Sequence, residues 1–218
     1  MTRRKDEDGV IVIFGESDND RKAIAALVRA LCPKSRTKIM RSPLVLIKNT
    51  PAPDVPSRAD RVASAARAVE AKERVKCVFA HEDADAVEPE EERVAARIER
   101  ALRDAGAPGK VHAVVPAWEI EAWWFLWPEV VANCYESWSE PKVATPPGRV
   151  ENAKERLARA VRPSQLSPSQ RKKFPDYRES DSIKIAEAIE ASGAAHDPPA
   201  GRSKSYDRFR SSVADCCS

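Results

Sequence analysis

One short stretch near the start of the chain limits its possible folds more than any other. Val10 to Phe14 is an unbroken run of apolar, mostly β-branched residues, and Gly15 ends it. Acidic and polar residues follow at once, and apolar residues then recur at helical spacing at Ile24, Leu27, Val28 and Leu31. This pattern predicts a buried strand, a tight turn and an amphipathic helix. It also places Glu16 at the carboxyl end of the strand.

Strands and helices then alternate along the chain. Further strands are predicted at 75–80 and 111–116. One more strand, or a strand pair, is predicted from the apolar residues of 38–40 and 44–47. Helical periodicity covers 58–74 and 90–105, and three later helices are predicted near 150–161, 182–191 and 205–213. The order β-α-β-α-β-α-β predicts an α/β fold with a parallel sheet and right-handed crossovers.

We predict two parts within the chain. Residues 1–128 form the α/β core, and residues 129–218 form a helical C-terminal extension packed on it. Hydrophobic residues make up 42% of the chain, enough to build a core and to argue against wholesale disorder. In the Trp-rich stretch 118–127, helical spacing favours packing in the core, with base stacking as the alternative.

Charge, cysteine usage and hydropathy suggest partners and a compartment. Residues 141–218 hold 15 Lys and Arg against 10 Asp and Glu, a balance that suits a polyanion such as nucleic acid but also fits ordinary solvated helices. No segment approaches the ~20 apolar residues that span a bilayer, and no signal peptide is evident. The five cysteines show no metal spacing and no framework of pairs, and Cys216-Cys217 is expected to be a loose tail. We therefore predict a cytoplasmic protein with no membrane contact.

Carboxylates follow three of the predicted strands. The first strand leads to Glu16 and Asp20, the third to Asp83 and Asp85, and the fourth to Glu119 and Glu121. The carboxyl ends of parallel strands lie along one edge of the sheet, where ligands bind. We therefore expect these six side chains to converge.

A group of like charges needs cations to neutralise it. Oxygen ligands without paired Cys or His favour Mg²⁺ or Mn²⁺, and such ions assist phosphodiester displacement. The alternative is that these acids cap helices, since Asp is common at helix starts. For His81, which precedes the Asp pair, a structural role is preferred over that of base or ligand.

Two features resemble the Toprim fold of topoisomerases, primases and overcoming-lysogenisation-defect nucleases. They are the strand with its Gly15-Glu16 turn and a later strand that ends in Asp83-x-Asp85. The Glu16-x-x-x-Asp20 spacing resembles the nuclease branch. His81 to Asp85 and Glu119 to Trp123 are also similar to a bacterial Toprim-like family found beside ABC-type ATPases in phage-defence loci. The resemblance covers about residues 9–125 and extends more weakly to Lys184 and the segment 205–209.

The resemblance implies roles for individual residues. Glu16 would act as a metal ligand or general acid/base, and Asp83 and Asp85 would hold Mg²⁺. Asp20 would complete the first cluster, although the Gly-Glu-Ser-Asp turn leaves Asp18 as an alternative. Glu121 would be an extra metal ligand, with Glu119 as the next candidate for that role. Lys184 would contact a phosphate or the transition state.

These observations predict a Mg²⁺- or Mn²⁺-dependent nuclease acting on DNA or RNA. The resemblance adds an effector role in bacterial anti-phage defence with an ABC-type ATPase as partner. The second hypothesis is a non-catalytic Toprim-like subunit that docks to the ATPase. The third, a phosphoacceptor domain like those of response regulators, is weakened because the lysine expected after a later strand is not evident. With seven glycines and no Walker-type loop, the chain is not expected to be an ATPase itself.

Overall fold

The computed structural model describes residues 9–41, 45–142, 144–163 and 175–218. Four parallel strands form its sheet: β1 (Val10–Phe14), β2 (Arg36–Ile39), β3 (Val75–His81) and β4 (Lys110–Val114), in the order β2-β1-β3-β4. The predicted parallel-sheet α/β fold is therefore confirmed.

Three helices connect the strands, as the alternating pattern predicts. They are α1 (Asp18–Leu31), α2 (Val55–Glu70) and α3 (Glu91–Asp104). The later described helices are α4 (Glu121–Trp124), α5 (Pro128–Ala132), α6 (Ala153–Ala160), α7 (Asp181–Ser192) and α8 (Lys204–Cys217).

The region between β2 and α2 differs from the prediction. The segment 45–47 is irregular although it was expected to be a strand, and residue 44 of that prediction lies outside the described residues. A turn of 3-10 helix at Ala52–Asp54 leads into α2, which begins three residues earlier than the periodicity indicates. Proline near the first turn of a helix is well tolerated because the first N–H groups have no helical partner.

The two faces of the sheet are covered by different helices. Ile11 and Ile13 of β1 belong to a buried cluster with α1, whereas Val10, Val12 and Phe14 belong to a second cluster with α2 and α3. Every residue of β1 is buried because successive side chains point to opposite covered faces. This explains the unbroken apolar run of the sequence.

The helices that follow residue 128 contribute to the α1-side cluster. Leu157 of α6, Ile185 of α7 and Phe209 of α8 are buried in it together with Trp123 and Trp124. The two tryptophans are 0% exposed, which confirms the prediction that they pack in the core.

The cysteines correct a sequence prediction. Cys216 and Cys217 lie at the end of α8 rather than in a loose tail, and they form disulfides with Cys77 and Cys32, respectively. These partners are 139 and 185 residues away in the sequence, so the pairing depends on how α8 docks. None of the described helices combines the length and apolar character required to cross a bilayer.

Candidate metal centre

The strand order creates a crevice between the carboxyl ends of β1 and β3. The chain passes from β1 to β2 on one side of β1, and β3 lies on its other side. Ligands of open α/β sheets bind where the strand order reverses in this way. Glu16 follows β1 and Asp83 follows β3, and Glu16 Oε1 accepts a hydrogen bond from the Asp83 backbone N–H at 3.1 Å. The two predicted ligands are therefore neighbours.

Gly15 permits this close approach. A β-carbon at this position would lie 3.1 Å from Arg21 Cγ and 3.2 Å from His81 Cβ, tighter than ordinary van der Waals contact. The glycine that ends the apolar run thus lets the end of β1 approach the side chain at the end of β3.

His81 provides a positive charge between the carboxylates. Its ring is buried, with Nε2 3.3 Å from Asp83 Oδ1 and Nδ1 3.9 Å from Asp20 Oδ2. Burial opposes protonation, but the hydrogen bond and charge of Asp83, together with Asp20 and Glu16, outweigh it and raise the pKa of His81 to about 9. The ring is therefore an imidazolium at neutral pH, and in that form it offers no lone pair to a metal.

Lys48 provides a second positive charge, which the sequence analysis missed. Its Nζ lies 2.8 Å from Asp85 Oδ2 and 3.7 Å from Glu16 Oε2. Burial works against the charged amine, but the hydrogen bond to Asp85 and the charges of Glu16 and Asp83 raise the pKa of Lys48 overall. Asp85 is 54% exposed and pairs with Lys48, whereas the Asp83 side chain is 17% exposed and faces His81.

Glu82 positions Lys48 and was also missed. Its buried carboxylate accepts hydrogen bonds from the backbone N–H groups of Leu46, Ile47 and Lys48, the last at 2.9 Å. Strand alternation gave a signal for this residue, because Glu82 lies between His81 and Asp83 and must point to the opposite face. No sequence pattern identified its partners, which lie 34 to 36 residues earlier.

Burial makes Glu16 a weak acid. Desolvation and the charge of Asp83 raise its pKa to about 7, against the opposing effects of His81, Lys48 and the Asp83 backbone. The carboxyl is therefore partly protonated near neutral pH. A pKa close to the operating pH suits a group that exchanges protons.

Asp20 lies in the first turn of α1. Ser17 is the N-cap residue and accepts a hydrogen bond from the Asp20 N–H at 3.1 Å, while its hydroxyl donates to Asp20 Oδ2 at 2.6 Å. Ser17 is therefore the residue that caps α1, and the Asp20 carboxylate accepts from the Ser17 hydroxyl rather than from a helix N–H. Asp18 pairs with Lys22 and Arg21 at an exposed position.

Glu119 and Glu121 lie near enough to Asp83 to experience its charge. Glu119 Oε2 accepts a hydrogen bond from the Lys154 N–H at 3.0 Å, in the first turn of α6. Burial raises the pKa of both glutamates, that of Glu121 to about 8, and the charge of Asp83 acts on each in the same direction. Tyr177 donates a hydrogen bond to Glu121 Oε1 at 2.7 Å. Glu121 is consequently a buried, protonated group at neutral pH.

The backbone beside these residues is strained. Asp85 and Trp118 have φ values of 49° and 62°, a left-handed region that non-glycine residues rarely adopt. Two backbone hydrogen bonds link their segments, from Asp85 N–H to Trp118 O and from Trp118 N–H to Ala86 O. Such strain costs about 1–3 kcal/mol for each residue and tends to concentrate at functional sites.

Lys184 does not contact the predicted metal ligands. Its Nζ is 3.4 Å from the centroid of the Tyr135 ring, and among the described residues it makes no ion pair or hydrogen bond with the predicted ligands. The structure instead brings Lys48 to the carboxylates. The basic segment Arg171-Lys172-Lys173 lies outside the described residues.

We call the six predicted ligands together the acidic edge (Glu16, Asp20, Asp83, Asp85, Glu119 and Glu121). Within the described ranges, no three of their carboxylates offer oxygen atoms that all lie within 4.8 Å of one another. The six side chains therefore do not converge on one point as predicted. Asp83 Oδ1 is buried, lies 3.3 Å from His81 Nε2 and makes no hydrogen bond of acceptable geometry. Glu16 and Asp83 are predicted ligands that the structure brings into contact.

Comparisons with known proteins give no relative. No protein-family model, curated protein or solved structure matches the chain.

Proposed function

We propose that the protein is a Toprim-like, Mg²⁺- or Mn²⁺-dependent phosphodiester hydrolase acting on DNA or RNA. The observation that carries the proposal is the contact of Glu16 with Asp83, two of the predicted ligands, at the crevice where the strand order reverses. Asp83 Oδ1 is buried there, and a metal ion would take the place that the His81 ring holds at 3.3 Å.

A divalent ion held by Glu16 and Asp83 would polarise a phosphoryl oxygen and lower the pKa of a bound water. The protein's own groups have complementary tasks. Glu16, which has a pKa of about 7, would give up its proton on binding the ion, because the carboxylate is the ligand form. Lys48 lies between Glu16 and Asp85 at the exposed side, where its charge would attract a phosphate.

Basic residues near the edge support a polyanionic substrate. Lys142, Arg156 and Arg159 line a common depression beside α6, and the first turn of α6 contacts Glu119. Clustered basic side chains on a helix that contacts one of the predicted ligands suit a nucleic-acid backbone. An effector role in phage defence with an ABC-type ATPase partner is part of the proposal, and its support is the sequence resemblance.

Calorimetric titration of Mn²⁺ into the wild type, Asp83→Asn and Asp18→Asn tests the metal centre. The same proteins are then incubated with supercoiled plasmid and with tRNA. We expect the wild type to bind Mn²⁺ and cleave one substrate, and Asp83→Asn to lose roughly 100-fold or more in cleavage, since metal ions contribute several kcal/mol to such transition states. Asp18→Asn is the matched control, because it makes the same chemical change at an exposed acid that pairs with Lys22.

A folded wild type that binds no Mn²⁺ would overturn the proposal. It would favour the docking subunit, in which His81 and Lys48 neutralise the carboxylates permanently. Cleavage by Asp83→Asn at the wild-type rate would contradict the assignment of the ligand.

A further inference from the structure

A second group of metal-binding atoms lies on the α1-side face of the sheet, and the proposed function does not use it. Cys77 of β3, His112 of β4 and Cys216 of α8 each offer one ligand atom, and these atoms all lie within 4.8 Å of one another. Among the described residues, it is the one set of three Cys, His, Asp or Glu side chains that meets this distance. We call it the thiol–imidazole cluster (Cys77, His112 and Cys216).

The surroundings hold the cluster in place. Cys77 and Cys216 are 0% and 1% exposed. The ring of Phe79 stacks on that of His112 with centroids 5.3 Å apart, and the two residues are register partners in β3 and β4. Asp215 Oδ2 lies 3.4 Å from His112 Nε2, and Lys110 Nζ lies 2.7 Å from Asp215 Oδ1. Carboxylates beside a metal-binding histidine commonly fix the orientation of its ring.

His112 Nε2 is buried and lies 3.4 Å from Asp215 Oδ2 without a hydrogen bond of acceptable geometry. What indicates a ligand is the convergence of the three donor atoms. In the disulfide form, Cys77 and Cys216 bind one another and offer no thiolate to a metal.

We propose that the reduced form of the protein binds one zinc ion through Cys77, Cys216 and His112. A dithiol reductant would supply two electrons, become a disulfide itself and convert the Cys77–Cys216 bond into two thiols. Zinc would displace the two thiol protons, because the thiolate is the ligand form. Two sulfurs and one imidazole nitrogen suit tetrahedral zinc, with water in the fourth position.

The geometry requires only a local opening. With Zn–S distances of about 2.3 Å, tetrahedral coordination places the two sulfurs roughly 3.8 Å apart. The two sulfurs, which are bonded to one another in the disulfide, would have to move apart to reach it. Cys77 is held within the sheet, so the movement falls on the last turn of α8.

The adjacent cysteine supplies a matched control. Cys217 pairs with Cys32 at the end of α1 and is not a member of the cluster. Cys216→Ser and Cys217→Ser therefore make the same chemical change at neighbouring positions, and each removes one disulfide. Only Cys216→Ser removes a ligand of the proposed site.

The test uses the full chain, reduced with a phosphine and freed of metal, and titrated with Co²⁺ as a spectroscopic substitute for zinc. We expect one Co²⁺ per chain, a thiolate-to-cobalt charge-transfer band and the intense visible bands of tetrahedral cobalt. Cys216→Ser and His112→Ala should lose these bands, whereas Cys217→Ser should keep them. Circular dichroism checks that each variant is folded.

X-ray absorption at the zinc edge of the wild type requires no variant. Two sulfur ligands and one imidazole are expected. A first shell made of oxygen alone would overturn the proposal, as would a reduced wild type without a charge-transfer band. Equal losses in Cys216→Ser and Cys217→Ser would also contradict it.

Discussion

The same sheet carries two groups of potential ligands that are organised in opposite ways. Oxygen donors of the acidic edge are spread around the carboxyl ends of the strands, and His81 and Lys48 lie among them. Sulfur and nitrogen donors of the thiol–imidazole cluster lie within 4.8 Å of one another, and the two sulfurs are joined as a disulfide. A disulfide and an imidazole do not repel one another, whereas buried carboxylates do unless a cation intervenes.

This difference predicts different metal preferences at the two sites. Hard oxygen donors that keep an open arrangement suit Mg²⁺ or Mn²⁺, and sulfur with imidazole suits zinc. A metal ion at the acidic edge would therefore have to replace the positive charges of His81 and Lys48. A metal ion at the thiol–imidazole cluster would require reduction of the Cys77–Cys216 disulfide.

The strongest test is whether each of two variants loses one metal site and keeps the other. Asp83→Asn should weaken Mn²⁺ binding and leave the cobalt–thiolate bands of the reduced protein intact, whereas Cys216→Ser should do the reverse. Each loss should reach roughly 100-fold or more, in line with several kcal/mol for a ligand. Parallel calorimetric and optical titrations of both variants measure it. If either variant abolished both signals while remaining folded, the two sites would not be independent.

Glu82→Gln tests a carboxylate that already has its partners. The substitution removes a buried charge that accepts hydrogen bonds from the N–H groups of residues 46–48. We expect the free energy of unfolding to fall by at least about 1.5–3 kcal/mol, the value of one hydrogen bond to a charged group. Urea denaturation measures this loss, and the exposed Glu92→Gln is the control. Equal stability of the two variants would show that Glu82 does not anchor the segment.

Lys48→Met tests whether the lysine competes with a metal. Removing a partly exposed charge near Glu16 and Asp85 should tighten Mn²⁺ binding by about fivefold, which corresponds to about 1 kcal/mol. Titration at pH 8 keeps Glu16 mostly ionised, since its pKa is about 7. Lys38→Met is the control, because Lys38 pairs with Glu73 away from the edge. Unchanged or weaker binding in Lys48→Met would argue against competition.

Glu121→Gln tests the pH dependence of stability. The folded-state pKa of Glu121, about 8, lies above the ordinary value of 4.5. The stability that this group contributes is therefore fully present below about pH 4.5 and is lost as the pH rises through about 8. Between pH 6 and pH 9 the wild-type Tm should fall further than that of Glu121→Gln, by roughly 2–4 °C for each kcal/mol. Parallel slopes in thermal melts would show that the carboxyl does not titrate in this range.

Much of the fold could be predicted because its signals are local. The apolar run at Val10–Phe14 and the stripe of α3 reflect strand and helix periods that each segment carries by itself. Glu16 and Asp83 could be placed at one edge because parallel strands share their direction. Their contact at the crevice follows from these two facts.

The remaining features involve partners far apart in the sequence. Glu82 and Lys48 were missed because their contacts join β3 to an irregular segment that the sequence suggested was a strand. The disulfides of Cys216 and Cys217 were missed because only the docking of α8 brings them to Cys77 and Cys32. Lys184 was assigned to the edge by resemblance, whereas it packs on Tyr135.

The sequence by itself determined the order of strands and helices, the buried faces and the acidic residues at the strand ends. These depend on the period of the hydrophobic pattern, which each element carries within its own residues. The tertiary structure decided which charges neutralise those acids and which sulfur atoms meet. Those choices depend on distances between residues that are remote in the sequence, and distances of that kind are fixed only when the helices pack against the sheet.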